Sequence, residues 1–105
     1  MVTYEVTAMV EMRLVEAYER YMREHHIPDV LASGCFQSAV FTRATPGHYR
    51  MRYEAPSDEE LQRYLAVYAP GLRRQFASCF PEGVTLSREV WTAIQSWDAP
   101  PRAAG

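Results

Sequence analysis

Two adjacent histidines, His25 and His26, stand where an amphipathic pattern gives way to Ile27-Pro28-Asp29. At a helix C-terminus a protonated imidazole is favoured by the dipole by roughly 0.3–1 kcal/mol, so a cap plus a packed ring is the plain reading. The chemical reading makes His26 a general acid/base beside a cavity, because imidazole changes charge near neutral pH. A metal held by His25, His26 and Asp29 is a third arrangement. Adjacent helical side chains point about 100° apart, however, and the chain has no HxxxH spacing. Cys35 and Cys79 match no metal spacing either, and no metal is expected.

A second group is charged and lies on strand-like segments: Glu5, Arg50, Arg52, Glu54 and Glu89, with Trp91 close by. If their strands are neighbours, these charges share one sheet face. Covered by another chain, they must pair or shift pKa, which makes an ion-pair network between subunits the structural reading. The binding reading is a pocket in which Arg50 or Arg52 grips an anionic or hydroxylated small molecule. Glu5, Glu89 and Trp91 would help to line it, and Tyr64 and Tyr68 with Trp91 could floor it. An aromatic stripe at such spacing is more often core.

The elements that must position these groups are legible as changes of period. From Val2 to Val10 apolar residues alternate, as in a half-buried strand. From Glu11 the period lengthens: Leu14, Tyr18, Tyr21, Met22 and His25 mark one helix face, with Glu16/Arg20 and Glu19/Arg23 as i,i+4 pairs. This helix is expected to end near His26, because Pro28 disfavours αR geometry at Ile27. A short helical turn over Asp29–Ala32 precedes Gly34. A strand is expected from Cys35 to Thr45, a turn at Thr45-Pro46-Gly47-His48, and a strand through Tyr49, Met51 and Tyr53, the two strands forming a hairpin. Ser57 to Glu60 has capping-box spacing. The helix it opens carries Leu61, Tyr64, Leu65 and Tyr68, and Pro70 is expected to kink or split it. Pro81-Glu82-Gly83 stops the second piece. Alternation resumes at Val84 and could run to Trp97.

This order, βαββαβ, interleaves two right-handed strand–helix–strand units. The α+β result is a ferredoxin-like fold: a four-stranded antiparallel sheet in the order 4-1-3-2 with both helices on one face. Residues 1–97 make the single domain and 98–105 a disordered tail. The face without helices carries Glu5, Arg50, Arg52, Glu89 and Trp91. The second strand is apolar on both sides, at Phe36 and Val40 and at Ala39 and Phe41, and the fourth strand is long for its kind. Together with Trp91 these features predict a homodimer packed sheet to sheet, a closed barrel that also removes exposed edges.

At 105 residues the chain suits one domain with one core. A net charge of −2 gives no basic face, which argues against nucleic acid and anionic membranes. No apolar run approaches the roughly 20 residues of a membrane span, and strand-like alternation starts at Val2 with no signal-peptide pattern before it. Two widely spaced cysteines read as free, buried thiols in a cytoplasmic protein.

The combination of Tyr4-Glu5-Val6, the run from Tyr21 to Pro28 and the run from Gly34 to Ala39 resembles the dimeric α/β-barrel superfamily of ferredoxin-like proteins. Tyr64-Leu65, Tyr68-Ala69-Pro70 and Leu72-Arg73 add to the likeness. Within that superfamily the chain is similar to a family of short bacterial proteins known only as a domain of unknown function. The resemblance spans residues 2 to about 96 and implies a homodimer. Superfamily members include cofactor-free oxygenases, lactone isomerases, polyketide cyclases and haem-degrading enzymes. The last of these use an Asn–Trp–His set with the histidine on the second helix, and no histidine lies between Ser57 and Phe80 here. Phosphate loops, GxSxG and HExxH are absent from the sequence, and no cofactor is expected. The sequence therefore points to a small-molecule-binding dimer. A cofactor-independent enzyme using His26 (oxygenase, isomerase or cyclase) and a purely structural module are the alternatives.

Overall fold

A computed structural model describes residues 1–103. The chain runs through β1 (Val2–Val10), a 3-10 turn (Met12–Leu14), α1 (Val15–Tyr21), a π turn (Met22–His26), α2 (Ile27–Ala32) and β2 (Ser38–Arg43). It continues with β3 (His48–Ala55), α3 (Asp58–Arg63), a second π turn (Tyr64–Tyr68), α4 (Ala69–Cys79) and β4 (Val84–Thr92). Residues 12–32 thus form one helical arm and residues 58–79 another. The sheet is antiparallel in the order β2-β3-β1-β4, the expected order read from the other edge.

Register divides the sheet into two faces. Tyr4 lies between Tyr53 and Val90, Val6 between Met51 and Arg88, and Ala8 between Tyr49 and Leu86. These residues face the helical arms, and most of them are buried. In β2, Ala39 pairs with Tyr53 and Phe41 with Met51, so these two also face inward, while Val40 opposite Arg52 faces out. Tyr18, Met22 and Val30 of the first arm and Leu61, Tyr64 and Phe76 of the second complete the core. It is rich in rings: Tyr18 alone packs on Tyr49, Phe41, Phe76 and Phe80.

Neither arm stops at its proline. The first does not end at His26 but continues helically to Ala32, with Ile27 itself in the αR region. The device that permits this is the π turn. Proline cannot donate a backbone hydrogen bond, and its ring clashes with the carbonyl four residues back. The Ile27 N–H donates to the Met22 carbonyl, five residues back, and this wider turn precedes Pro28. The second arm repeats the solution. The Ala69 N–H donates to the Tyr64 carbonyl, and Pro70 falls in the first turn of α4. The expected interruption at Pro70 is therefore a π turn, not a split. Ser57 caps the second arm, its hydroxyl accepting from the Glu60 N–H at 3.3 Å.

Strand limits also differ from the sequence pattern. β2 begins at Ser38, not Cys35. Cys35 and Phe36 are buried in the preceding loop, where Phe36 packs on Tyr53 and Tyr64. β4 ends at Thr92, opposite Val2, because β1 offers no further partner; one bond from Ala93 N–H to the Met1 carbonyl follows. Ile94 and Trp97 lie outside the sheet and are exposed. Residues 93–103 form neither helix nor strand. The tail expected over 98–105 falls in its last two positions outside the described residues.

The hairpin turn requires Gly47. Its φ is +84°, its carbonyl accepts from the Val10 N–H at 2.7 Å, and a Cβ there would meet the Val10 carbonyl oxygen at 2.6 Å. Among the described residues no helix is long and apolar enough to cross a membrane.

Candidate functional site

A cavity of about 260 Å³ lies between the sheet and the two arms. Each π turn supplies part of its wall: Met22 and His26 come from the first, Tyr64 from the second. The sheet contributes Tyr4 and Tyr53, and edge strand β4 contributes Leu86 and Arg88. From α4 come Phe76, buried at one side, and Arg73, exposed at the rim. Among the described residues no aspartate or glutamate lines it.

His26 is partly buried, its ring edge-on to Phe76 at 5.8 Å between centroids. Its Nδ1 is buried without a hydrogen-bond partner among the described residues. Burial pulls the pKa of His26 below the ordinary 6.5; nearby Asp29 opposes this and Arg88 reinforces it. The ring is consequently neutral at pH 7 and offers a basic nitrogen. The second orphan is Tyr53. The residue is 2% exposed, and its hydroxyl, also buried, meets no partner among the described residues. Burial, with Tyr64 close by, raises its pKa. Burial likewise pushes Tyr64 up to about 12. The phenols therefore stay protonated near neutrality, and the interior is aromatic and uncharged. Charge enters at the rim, where the Arg73 guanidinium donates to the Tyr4 hydroxyl at 3.1 Å.

A buried polar atom without a partner is uncommon in a folded protein, and two in the wall of one cavity are a reason to look for a ligand. A cavity that combines apolar walls with a few polar groups and a perturbed histidine is the usual form of a small-molecule site.

The residues expected from sequence to bind a ligand lie elsewhere, on the face without helices. There Glu5 pairs with Arg50 at 3.1 Å and with Arg52 at 3.5 Å. Glu89 stands directly opposite Glu5 across β1 and β4, two like charges whose repulsion the arginines offset. Trp91, opposite Thr3, is 53% exposed on the same face. Glu54 accepts from the Thr3 hydroxyl at 2.7 Å. The structure thus brings Glu5, Arg50, Arg52 and Glu89 together, with Trp91 two residues along, and separates all of them from His26 by the sheet. Tyr64 cannot floor a pocket with Trp91, because the two lie on opposite faces. Tyr68 is packed against the core but is not among the residues that line the cavity, and it takes Arg63 over its ring at 5.9 Å. His25 is exposed. Among the described residues no group of three His, Cys, Asp or Glu side chains is placed to hold a metal. Cys35 is buried and free; Cys79 is free but exposed, not buried as expected.

Tyr4, Tyr53, Arg73 and Arg88 were missed as site residues. For the tyrosines no sequence signal separates a cavity wall from core. Arg88 does carry one: it stands in phase with Leu86 and Val90, a charge at an inward position of an alternating strand.

Solved structures support the architecture. A putative antibiotic biosynthesis monooxygenase from Deinococcus radiodurans superposes with a TM-score of 0.74 at 14% identity, covering 96% of this chain and all of that one. A dimeric ferredoxin-like protein from an uncultured marine organism matches with a TM-score of 0.70 at 10% identity, over 93% of this chain and 98% of its own. A MhuD variant described with two manganese protoporphyrin IX molecules bound per active site matches at 0.68 and 17% identity, over 94% of this chain and all of its own. At such identities these likenesses establish the ferredoxin-like fold. No curated protein matches. The match that extends over most of the chain at the sequence level covers residues 1–94, and by it the chain belongs to DUF4286, a family described as a domain of unknown function.

Proposed function

We propose that this protein binds a small, largely apolar molecule in the cavity between its sheet and helical arms. The observation that carries the reading is the pair of buried, unpartnered polar atoms, His26 Nδ1 and Tyr53 Oη, in the wall of one aromatic-lined cavity. A volume of about 260 Å³ suits a molecule of one or two rings. A porphyrin exceeds it, and the second arm holds no histidine to ligate iron, so the residues present do not fit haem. Isothermal titration with 1-naphthylmethanol tests the reading. The expected result is saturable binding that Leu86→Trp, which fills the cavity from the edge strand, abolishes. Binding unchanged by Leu86→Trp in a folded variant would place the site elsewhere.

The protein works as a homodimer in this reading, packed through the face that carries Trp91, Met9 and Val40, all exposed in the single chain. The relative described as a dimeric ferredoxin-like protein supports this. Glu5, Arg50, Arg52 and Glu89 then line the barrel between protomers, where they form an ion-pair network or a second, polar binding pocket. Two free thiols agree with a cytoplasmic location. Sedimentation at micromolar concentration checks the dimer, and a stable monomer refutes it.

A second reading makes the protein a cofactor-independent enzyme of the oxygenase, isomerase or cyclase type. The specific observation in its favour is His26, a neutral imidazole beside the cavity and fit to accept a proton from a bound phenol or enol. The structural relative described as a putative antibiotic biosynthesis monooxygenase is consistent with it. The test is turnover of a phenolic or enolic substrate that falls by about a hundredfold or more in His26→Gln while binding persists.

A further inference from the structure

All 11 basic side chains of this chain are arginines. Among the described residues seven of them reach a carboxylate: Arg13, Arg20, Arg23, Arg43, Arg50, Arg52 and Arg63. Among the described residues Arg73 and Arg88 form no ion pair, and both line the cavity. They come from different elements, α4 and the edge strand β4, and both are exposed at the rim. Their fields overlap inside: both act on the Tyr64 hydroxyl, and Arg88 also acts on His26. Arg73 is held in place by its bond to the Tyr4 hydroxyl. The rings of Tyr4, Tyr64 and Phe76 share the wall with the two guanidiniums, and among the described residues no acidic side chain lines it.

We propose that the ligand of this cavity is an aromatic carboxylate, with its ring inside and its carboxylate held between Arg73 and Arg88. This rests on the reading that the cavity binds a small molecule, and adds its chemical class. Two guanidiniums from different elements, both in the wall of one cavity and neither ion-paired among the described residues, suit a carboxylate, which accepts two N–H bonds from such a group. The ring walls favour a flat apolar body, and the His26 and Tyr53 side chains belong to the same wall. A competing account exists for Arg88. An inward charge on an edge strand is one way that proteins prevent edge-to-edge association. That account gives Arg88 no effect on binding and leaves Arg73 only its tie to the Tyr4 hydroxyl.

The experiment compares 1-naphthoate with uncharged 1-naphthylmethanol by isothermal titration on the whole chain. The expected result is naphthoate binding about tenfold tighter, a preference that shrinks with added salt. Arg73→Met and Arg88→Met are each expected to weaken naphthoate by about fivefold to tenfold and to leave naphthylmethanol within about twofold. Arg88→Lys, which keeps the charge but loses the fork, is expected to fall between. If a Met variant does not fold, the wild-type probe pair and the Lys variant still decide. Equal affinity for the two probes overturns the carboxylate and leaves the cavity reading standing. Weakening of both probes by a folded Met variant also overturns it, because the arginine then only shapes the wall. Binding of neither probe removes the cavity reading and this inference together.

Discussion

The first helical arm, residues 12–32, and the second, residues 58–79, share one backbone device and put it to different use. In each, an α-helix widens into a five-residue π turn, and a proline follows in the next α-helical turn. π turns are uncommon and are found disproportionately at functional sites. In the first arm the last residue of the π turn is His26, against the cavity. In the second it is Tyr68, turned toward Arg63. The arms also fasten to the sheet differently. The first uses charge: Glu19 accepts from the Tyr49 hydroxyl and from Arg43 at 2.9 Å, and from Arg23 on its own helix at 2.9 Å. The second reaches the sheet through the rim contact of Arg73 with Tyr4. The backbone device sets the path of each arm, and the side chains at the turn decide what reaches the cavity: an imidazole, His26, from the first and a phenol, Tyr64, from the second.

The largest expected effect probes the buried anchor of each arm. Tyr18 and Leu61 are both fully buried. Tyr18→Ala is expected to cost about 3–5 kcal/mol and Leu61→Ala about 2–4 kcal/mol in urea denaturation. A smaller loss for Tyr18→Ala than for Leu61→Ala would show that the ring cluster around the first arm is not its principal hold.

The charged tie comes next. Glu19→Gln is expected to cost about 1–2 kcal/mol, reduced by the exposure of its arginine partners. The Tyr49 hydrogen bond first, then Arg43 and Arg23, hold the Glu19 pKa below the ordinary 4.5. A carboxylate depressed in this way contributes fully above its unfolded pKa, and the contribution is lost as pH falls through the folded value. The wild type should therefore lose stability relative to Glu19→Gln in acid below about pH 4.5. Parallel pH curves for the two proteins would remove Glu19 from the account.

The prolines should have smaller effects. Pro28→Ala and Pro70→Ala each remove the ring that forbids a regular α turn. Each is expected to change stability by about 1 kcal/mol or less and to raise disorder at the adjacent π turn. Hydrogen exchange at Ile27 and Ala69, the two amides that close the π turns, reads this directly. Unchanged exchange in both variants would mean that packing alone holds the turns.

The smallest effect belongs to His26. NMR titration should place its pKa below 6.5, because burial disfavours the imidazolium. The sign follows: the neutral ring's contribution is complete above 6.5 and is lost as pH falls through the folded value. His26→Gln should flatten that slope, and occupation of the cavity by naphthoate should move the titration. A His26 pKa above 6.5 in the free protein would contradict the buried neutral ring.

Much of this fold was readable because period is a local property. The alternation of Val2–Val10 coincides with β1, and the phases of β3 and β4 set their faces correctly. Limits were harder, because strands end where partners end, as Thr92 does opposite Val2. Cys35-Phe36 has the apolar character of a strand but plugs a loop, and only the rings of Tyr53 and Tyr64 reveal that. Pro28 reads as a stop and Pro70 as a kink or split because sequence does not display a shift of hydrogen-bond register. In the site, His26 was legible from its place at a change of pattern. The grouping of Glu5, Arg50, Arg52 and Glu89 was legible from alternation plus strand order. The cavity wall was not, since Arg73 and Arg88 meet only through the tertiary placement of α4 over an edge strand.

The π turns carry one more consequence, for changes in chain length. Each turn accommodates one residue more than an α-helix of the same span would need. A single-residue deletion inside it, such as removal of exposed Ala66, could restore regular winding without moving the ends of the arm. The proline that follows opposes this, since its ring would then meet a carbonyl four residues back. Arm length and proline are thereby locked to each other, and a lineage that loses one is expected to lose the other, together with the aim of the side chains between them.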